Sequence, residues 1–171
     1  MSLSTIDSTG LTPGGVAQGS LGTNVAGNGP AFSAYLNTTQ NVSNGVITKV
    51  VLNAENFDTA NAFDSTTNYR FQPTVAGYYQ LQGCVTNGSG AAVNGYTNGR
   101  IYKNGAAYSS TASQQPSNGN YASAYCSSLV YLNGSTDYVE FYTDHSGFTT
   151  NPIGLVAGEW TYFTGFLARA A

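Results

Sequence analysis

"NYRFQPTVAGYYQLQGCV", residues 68–85, holds two runs of alternating side chains separated by a proline and a glycine. Tyr69 and Phe71 fall on one side of an extended chain and Arg70 and Gln72 on the other, the pattern of a half-buried strand. Pro73 has no N–H to give to a ladder, which confines it to an edge, a bulge or a strand end. Val75, Ala76 and Gly77 read as the reversal, with glycine supplying any positive φ that it needs. Beyond it Tyr79, Leu81, Gly83 and Val85 share one face, and Tyr78, Gln80, Gln82 and Cys84 share the other. The stretch is a two-strand corner whose inner face fills a core.

The same pattern continues on both sides. "AFSAYLN" (31–37), "VITKVVLN" (46–53), "YTNGRIYKNG" (96–105), "YASAYCSSLVYLN" (121–133), "DYVEFYT" (137–143) and "GEWTYFTGFLARA" (158–170) are rich in aromatic and β-branched residues, with Asn-Gly, Gly-Ser, Ser-Gly and Asn-Pro breakers between them. No stretch offers an amphipathic helix of three turns. Eight or so strands with regular turn signals mean a sandwich or barrel, and a jelly roll is the common eight-stranded solution. The expected fold class is an all-β jelly-roll β-sandwich over residues 30–171. Residues 1–29 sustain neither period and read as an extended Gly-rich N-terminal arm, unable to offset its ordering entropy unless it lies on another surface. Its apolar residues Leu3, Ile6, Leu11, Val16, Leu21 and Val25 are the candidates for such a contact.

At 171 residues the chain fits one domain with an appendage. Only 8% of residues are charged, and Lys49, Arg70, Arg100, Lys103 and Arg169 are scattered, so the clustered cations that nucleic acid requires are missing. So low a charge also removes a device that keeps soluble proteins apart, which suits work inside an assembly. No apolar run reaches the roughly 18–20 residues of a membrane span, and "MSLSTIDSTGLTPGG" has neither the basic start nor the apolar stretch of a secretion signal. The expectation is assembly in the cytoplasm, where Cys84 and Cys126 are buried thiols, with a disulfide as the alternative. The sequons at Asn37, Asn41, Asn87 and Asn133 then read as accidents of composition.

Chemistry is sparse. "TDHSG" (143–147) sets Asp144, His145 and Ser146 side by side and contains the only histidine, but a nucleophilic triad needs convergence, and neighbours on extended chain point to opposite faces. The segment reads as a turn or loop. Two isolated cysteines and one histidine lack zinc spacing. Oxygen ligands are plentiful, with Asp58 and Asp64 bracketing "DTANAFD" and Asp137, Glu140 and Asp144 near another strand, yet no calcium-loop pattern joins them. No catalytic residue, metal or cofactor is expected, and the chain reads as no enzyme. Tyr108 and Tyr121 flank the polar "YSSTASQQPSNGNY", a mixture that can meet sugars, with a solvated loop tip as the plainer reading.

"FQPTVAGYY" (71–79) resembles the Phe-x-Pro-x-x-x-Gly-x-Tyr signature of the complement C-one-q globular head and the wider tumour-necrosis-factor-like jelly rolls. "AFSA" (31–34) resembles that family's first strand and "YFTGFLARA" (162–170) its last. The resemblance implies that Phe32, Phe71, Gly77, Tyr79, Gly165, Phe166 and Leu167 are core or turn positions, and that the protein is a homotrimer. Thirteen tyrosines and eight phenylalanines suit a trimer, because aromatics are favoured at interface cores. Tyr35, Phe141 and Phe163 are the candidates for the three-fold interface, with ordinary core as the competing reading.

Residues 55–81 also resemble head domains found in bacteriophage virion proteins. The resulting expectation is a trimeric capsid cement or decoration protein on the virion surface. Its arm would bind the major capsid protein, and neither nucleic acid nor membrane would be a partner. The alternative is a tail-fibre or spike tip that recognises host surface glycans. Only about thirty residues precede the head and no shaft repeat is visible, which favours the decoration reading.

Overall fold

The computed structural model describes residues 22–25, 27–88, 95–114, 121–147, 150–153 and 160–171. Among the described residues there is no helix, and the strands in chain order are β1 (Ala31–Tyr35), β2 (Gln40–Ser43), β3 (Thr48–Lys49), β4 (Ala54–Asp58), β5 (Phe63–Asp64), β6 (Arg70–Phe71), β7 (Gly77–Thr86), β8 (Tyr96–Lys103), β9 (Ala106–Gln114), β10 (Ser123–Leu132), β11 (Val139–Ser146), β12 (Thr150–Ile153) and β13 (Tyr162–Ala170). One antiparallel sheet has five strands in the order β10-β7-β13-β1-β4. The other runs β5-β6-β11-β8-β9, with β3 added on β11, and β12 pairs with β2 apart from both.

The inner faces of the two sheets enclose one core. A run of rings crosses it: Phe63 and Phe71 stack on Phe32, with centroids 5.2 and 4.3 Å away, Phe163 meets Phe32 edge-on at 5.3 Å, and Phe141 stacks on Phe163 at 5.5 Å. Burying one such ring stabilises the fold by about 1.5–3 kcal/mol, so this run is a principal source of cohesion.

The corner at residues 68–85 has the expected sides, with Tyr79, Leu81 and Val85 fully buried. Its details differ. Strand β6 spans only Arg70–Phe71, and Tyr69 adopts φ 50°, so Tyr69 turns the chain instead of extending it. Gly77 is required for space and not for a positive φ: a Cβ there would press on Leu167 and on the Arg169 carbonyl oxygen. Asn104 and Gly105, at φ 52° and 77°, close β8 onto β9 as a two-residue turn of the kind that matches strand twist.

Two further expectations are corrected. The "YSSTASQ" half of the polar stretch is strand, because residues 106–114 pair with β8 as the sheet's edge, where both sides of the strand stay polar. The segment around Asp144 is also strand and not a turn, since β11 continues to Ser146 in register with β8.

Candidate interaction surface

Register alone assembles a surface on the outer side of the five-stranded sheet. Tyr35, Tyr162, Cys84 and Tyr125 are consecutive partners across four strands, β1, β13, β7 and β10. Ser33, Thr164, Gln82 and Ser127 form the next row of this face, and Ala31, Phe166, Gln80 and Leu129 the row after. None of these twelve side chains carries a formal charge. Tyr125, Leu129 and Phe166 are each more than half exposed, and Phe57 on β4, opposite Ser33, is about half exposed. At the far end Tyr78 and Tyr131 pack ring to ring at 5.4 Å, with Arg169 opposite Tyr78 and the Lys103 ammonium 5.7 Å from the Tyr131 ring. Charge therefore appears at the rim of this face.

Cys84 lies in the middle of the first row but is only 2% exposed, because the neighbouring rings cover it. Burial raises its thiol pKa, against smaller opposing effects of hydrogen bonds with Thr86 and Tyr125. The nearness of Cys84 in turn raises the Tyr125 phenol, while burial is the main cause at Tyr162.

The outer side of the other sheet is built differently. Lys49 pairs with Glu140, and Arg100 Nε donates to Asp144 Oδ1 at 2.5 Å while the Asn98 side-chain amide donates to Oδ2 at 2.9 Å. The Arg70 guanidinium lies 4.2 Å from the Tyr138 ring centroid, and Tyr102 stacks on Tyr142 at 4.1 Å. Burial, reinforced by Glu140, pushes the Tyr142 phenol up to about 12. The charges of this face are paired with one another, and the Glu140 and Asp144 carboxylates are themselves buried beneath their cations. The face opposite carries no such pairs and exposes Phe57, Tyr125, Leu129 and Phe166 beside a polar middle row, which makes it the candidate interaction surface.

Of the residues singled out from sequence, Tyr35 lies on the aromatic face, in its first row. Phe141 and Phe163 are fully buried inside the chain's own core, because the strand alternation turns them inward, and neither presents any surface to a second chain. Phe166 is corrected in the other direction. Gly165 and Leu167 point into the sandwich, so the residue between them must point out, and it is 53% exposed. Phe32, Phe71, Tyr79 and Leu167 are buried as the resemblance implied. A Cβ on Gly165 would collide with Leu81.

Leu3, Ile6, Leu11, Val16 and Leu21 lie outside the described residues. Val25 is part of a turn, its N–H bonded to the Gly22 carbonyl at 3.2 Å. Tyr108 and Tyr121 are both exposed but are not neighbours in one site: the Tyr108 hydroxyl donates to the Leu129 carbonyl at 3.3 Å, whereas Tyr121 meets Trp160 edge-on at 4.7 Å.

His145 and Asp144 point to opposite sides of β11, with the His145 ring fully buried and its Nε2 2.7 Å from the Val42 carbonyl oxygen. The carboxylates considered for a cation are committed elsewhere. Asp58 accepts from the Ala60 and Phe63 amides, and Asp64 from the Thr66, Thr67 and Asn68 amides. Asp137 pairs with Lys103 at 2.9 Å. Among the described residues no three His, Cys, Asp or Glu side chains come together.

No family model matches the chain, and no curated protein matches it by sequence. Solved structures do. Murine APRIL superposes with a TM-score of 0.59 at 11% identity, covering 81% of this chain and 98% of its own. Eiger TNF from S. frugiperda gives 0.55 at 10% identity, covering 83% of this chain and 92% of its own. Identities this low speak to fold alone, and the two-sheet topology agrees with them: the chain is an all-β sandwich with a tumour-necrosis-factor-like jelly-roll fold.

Proposed function

We propose that this protein is a structural, non-enzymatic virion component: a homotrimeric capsid cement or decoration head whose N-terminal arm binds the coat shell and stabilises it. The observation that carries the self-association is the uncharged aromatic face across β1, β13, β7 and β10. Apolar surface left in water costs about 25 cal/mol per Å², and a further copy of the chain removes that cost. A three-fold ring closes heterologous contacts and prevents open-ended growth. The virion setting is supported by the resemblance of residues 55–81 to head domains of bacteriophage virion proteins. Three arms bearing Leu3, Ile6, Leu11, Val16, Leu21 and Val25 act at high effective concentration, so weak individual contacts with a major capsid protein sum to a firm clamp.

Deleting residues 1–29 and imaging purified particles tests this reading. The truncated head should remain a soluble trimer and leave the capsid surface bare. Stoichiometric decoration without the arm would remove the arm from the mechanism. A tail-fibre or spike tip that binds host glycans is the second reading, favoured by the exposed Tyr121 beside Trp160. Location on the tail in the same images would select it.

A further inference from the structure

We propose that the cavity of about 530 Å³ between β4 and β5, the end strands of the two sheets, binds a small organic cation: a primary ammonium carried on a hydroxylated ring, as in an amino sugar. The lining residues that give it this character are Glu55, Asn61, Phe63, Asp64, Ser65 and Thr74. The inference goes beyond the virion reading and does not rest on it.

The cavity lies apart from the face proposed to join copies of the chain. Glu55 stands opposite Ala34, which is fully buried in the sandwich, so Glu55 projects from the inner side of β4. Phe57 stands opposite Ser33 and belongs to the outer side. The other lining residues come from β5 and from the connections after β4, β5, β6 and β10, and none is among the twelve side chains across β1, β13, β7 and β10. Burial of that face does not cover the cavity.

The lining selects the ligand by what it leaves unsatisfied. Among the described residues, Glu140, Asp144 and Asp137 are in ion pairs, and Asp58 and Asp64 accept backbone amides. Glu55 is the one described carboxylate with neither kind of partner. Asp64 adds a second negative charge, which its amide donors keep ionised, and no Lys, Arg or His lines the cavity. The Asn61, Ser65 and Thr74 side chains make no hydrogen bond within the chain, so their donors and acceptors are open to ligand hydroxyls. An anion would meet two carboxylates and no cation. A metal dication would find too few oxygens, since amides occupy those of Asp64. An apolar ligand would gain little, because Phe63, the one large apolar lining residue, is 6% exposed and stacked on Phe32. An ammonium can donate N–H bonds to Glu55, and the volume, within the usual range of about 300 to 1,000 Å³, has room for a single ring.

The test uses the isotope-labelled full chain in its native assembly and follows the Ser65 and Thr66 amides by NMR as glucosamine is added at mildly acidic pH, where its amine is protonated. N-acetylglucosamine supplies the ring without the charge, and tetramethylammonium the charge without N–H donors or hydroxyls. Saturable shifts with a dissociation constant of about 1–10 mM are expected for glucosamine. Both comparison compounds should bind at least roughly fivefold more weakly. Glu55→Gln, a change of charge without change of shape at an exposed position, should weaken glucosamine binding by roughly tenfold. Thr74→Val should weaken it several-fold, with circular dichroism confirming the fold of each variant.

Absence of saturable shifts, an equal affinity for either comparison compound, or an unchanged affinity in Glu55→Gln would each overturn the proposal. Should Thr74→Val not fold, Glu55→Gln decides alone. Failure of this titration leaves the imaging result on particles untouched, so the two ideas fall separately.

Discussion

Gly83 on β7 lies against the ring of Phe141 on β11, so closely that a Cβ at position 83 would overlap the ring carbons. This is where the two sheets press together, since Phe141 also stacks on Phe163 and its Cζ would be 3.3 Å from a Cβ on Gly99. The ring occupies a slot opened by two absent side chains.

Gly83→Ala should therefore destabilise the fold by about 1–3 kcal/mol, the usual cost of overpacking. Phe141→Leu should recover part of that loss in the Gly83→Ala background, because a smaller side chain reopens the slot. A double-mutant cycle from denaturant unfolding measures the coupling. Simple additivity of the two changes would show that the contact is not the source of the strain.

Acid sensitivity should centre on Asp64. Its carboxylate accepts the Thr66, Thr67 and Asn68 amides at 3.0, 2.8 and 3.0 Å and the Asn68 side-chain amide at 2.7 Å. These donors, Thr67 foremost, hold its pKa well below the ordinary 3.8. Asp137 is lowered in the same sense, chiefly by Asn104 and then by Lys103. Below the ordinary value the unfolded chain binds protons that the folded chain refuses. The stabilisation is therefore full above about pH 4 and is lost as pH falls toward the depressed folded values. Asp64→Asn should flatten the melting temperature against pH below pH 4 and lower stability at neutral pH. An acid limb as steep as the parent's would assign that sensitivity to other carboxylates.

Both thiols should be silent in the native protein. Cys84 and Cys126 are buried and free, and burial raises the Cys84 pKa, which lowers its thiolate fraction at any working pH. A thiol reagent at pH 8 should label two groups per chain in denaturant and neither at an appreciable rate without it. Fast labelling of the native protein would mean that the aromatic cover over Cys84 opens readily.

Charge placed on the aromatic face should separate folding from association. Phe166→Asp and Leu129→Asp alter side chains more than half exposed in the single chain, so each should change its stability by no more than about 0.5 kcal/mol. Each should nonetheless abolish self-association, because the acid would be buried unpaired. Ser110→Asp, on the exposed edge strand β9, serves as the control and should leave the mass unchanged. Loss of association in the control as well would assign the contact to β9.

Much of this fold is legible in the sequence. The alternation after Gly77 placed Tyr79, Leu81 and Val85 in the core correctly, because a strand buried on one face writes its environment at every second residue. Strand β9 escaped notice for the converse reason. Its residues are Ser, Thr, Ala, Gln and a single Tyr, and an edge strand with polar sides has no apolar period to show. Strand β4, with Asn56 and Asp58 in five residues, is equally poor in strand formers and is held by its pairing with β1.

The aromatic face had a signal that could have been read. In "SAYCSSLVYL" Ala124, Cys126, Val130 and Leu132 occupy one parity while Tyr125, Leu129 and Tyr131 occupy the other. A strand that is apolar on both parities is asking for cover on both sides. Tyr121 is conspicuous in the sequence beside its polar stretch, but its edge-on contact with Trp160 is not, because the two residues are far apart along the chain.

In the proposed homotrimer, copies of this chain meet on the uncharged face of the five-stranded sheet. Light scattering or sedimentation of the full chain at micromolar concentration addresses it directly. A single species near three times the 17.8 kDa chain mass is expected, shifting to one chain mass in Phe166→Asp. A monodisperse parent of 17.8 kDa would mean that the aromatic face does not hold copies of this chain together.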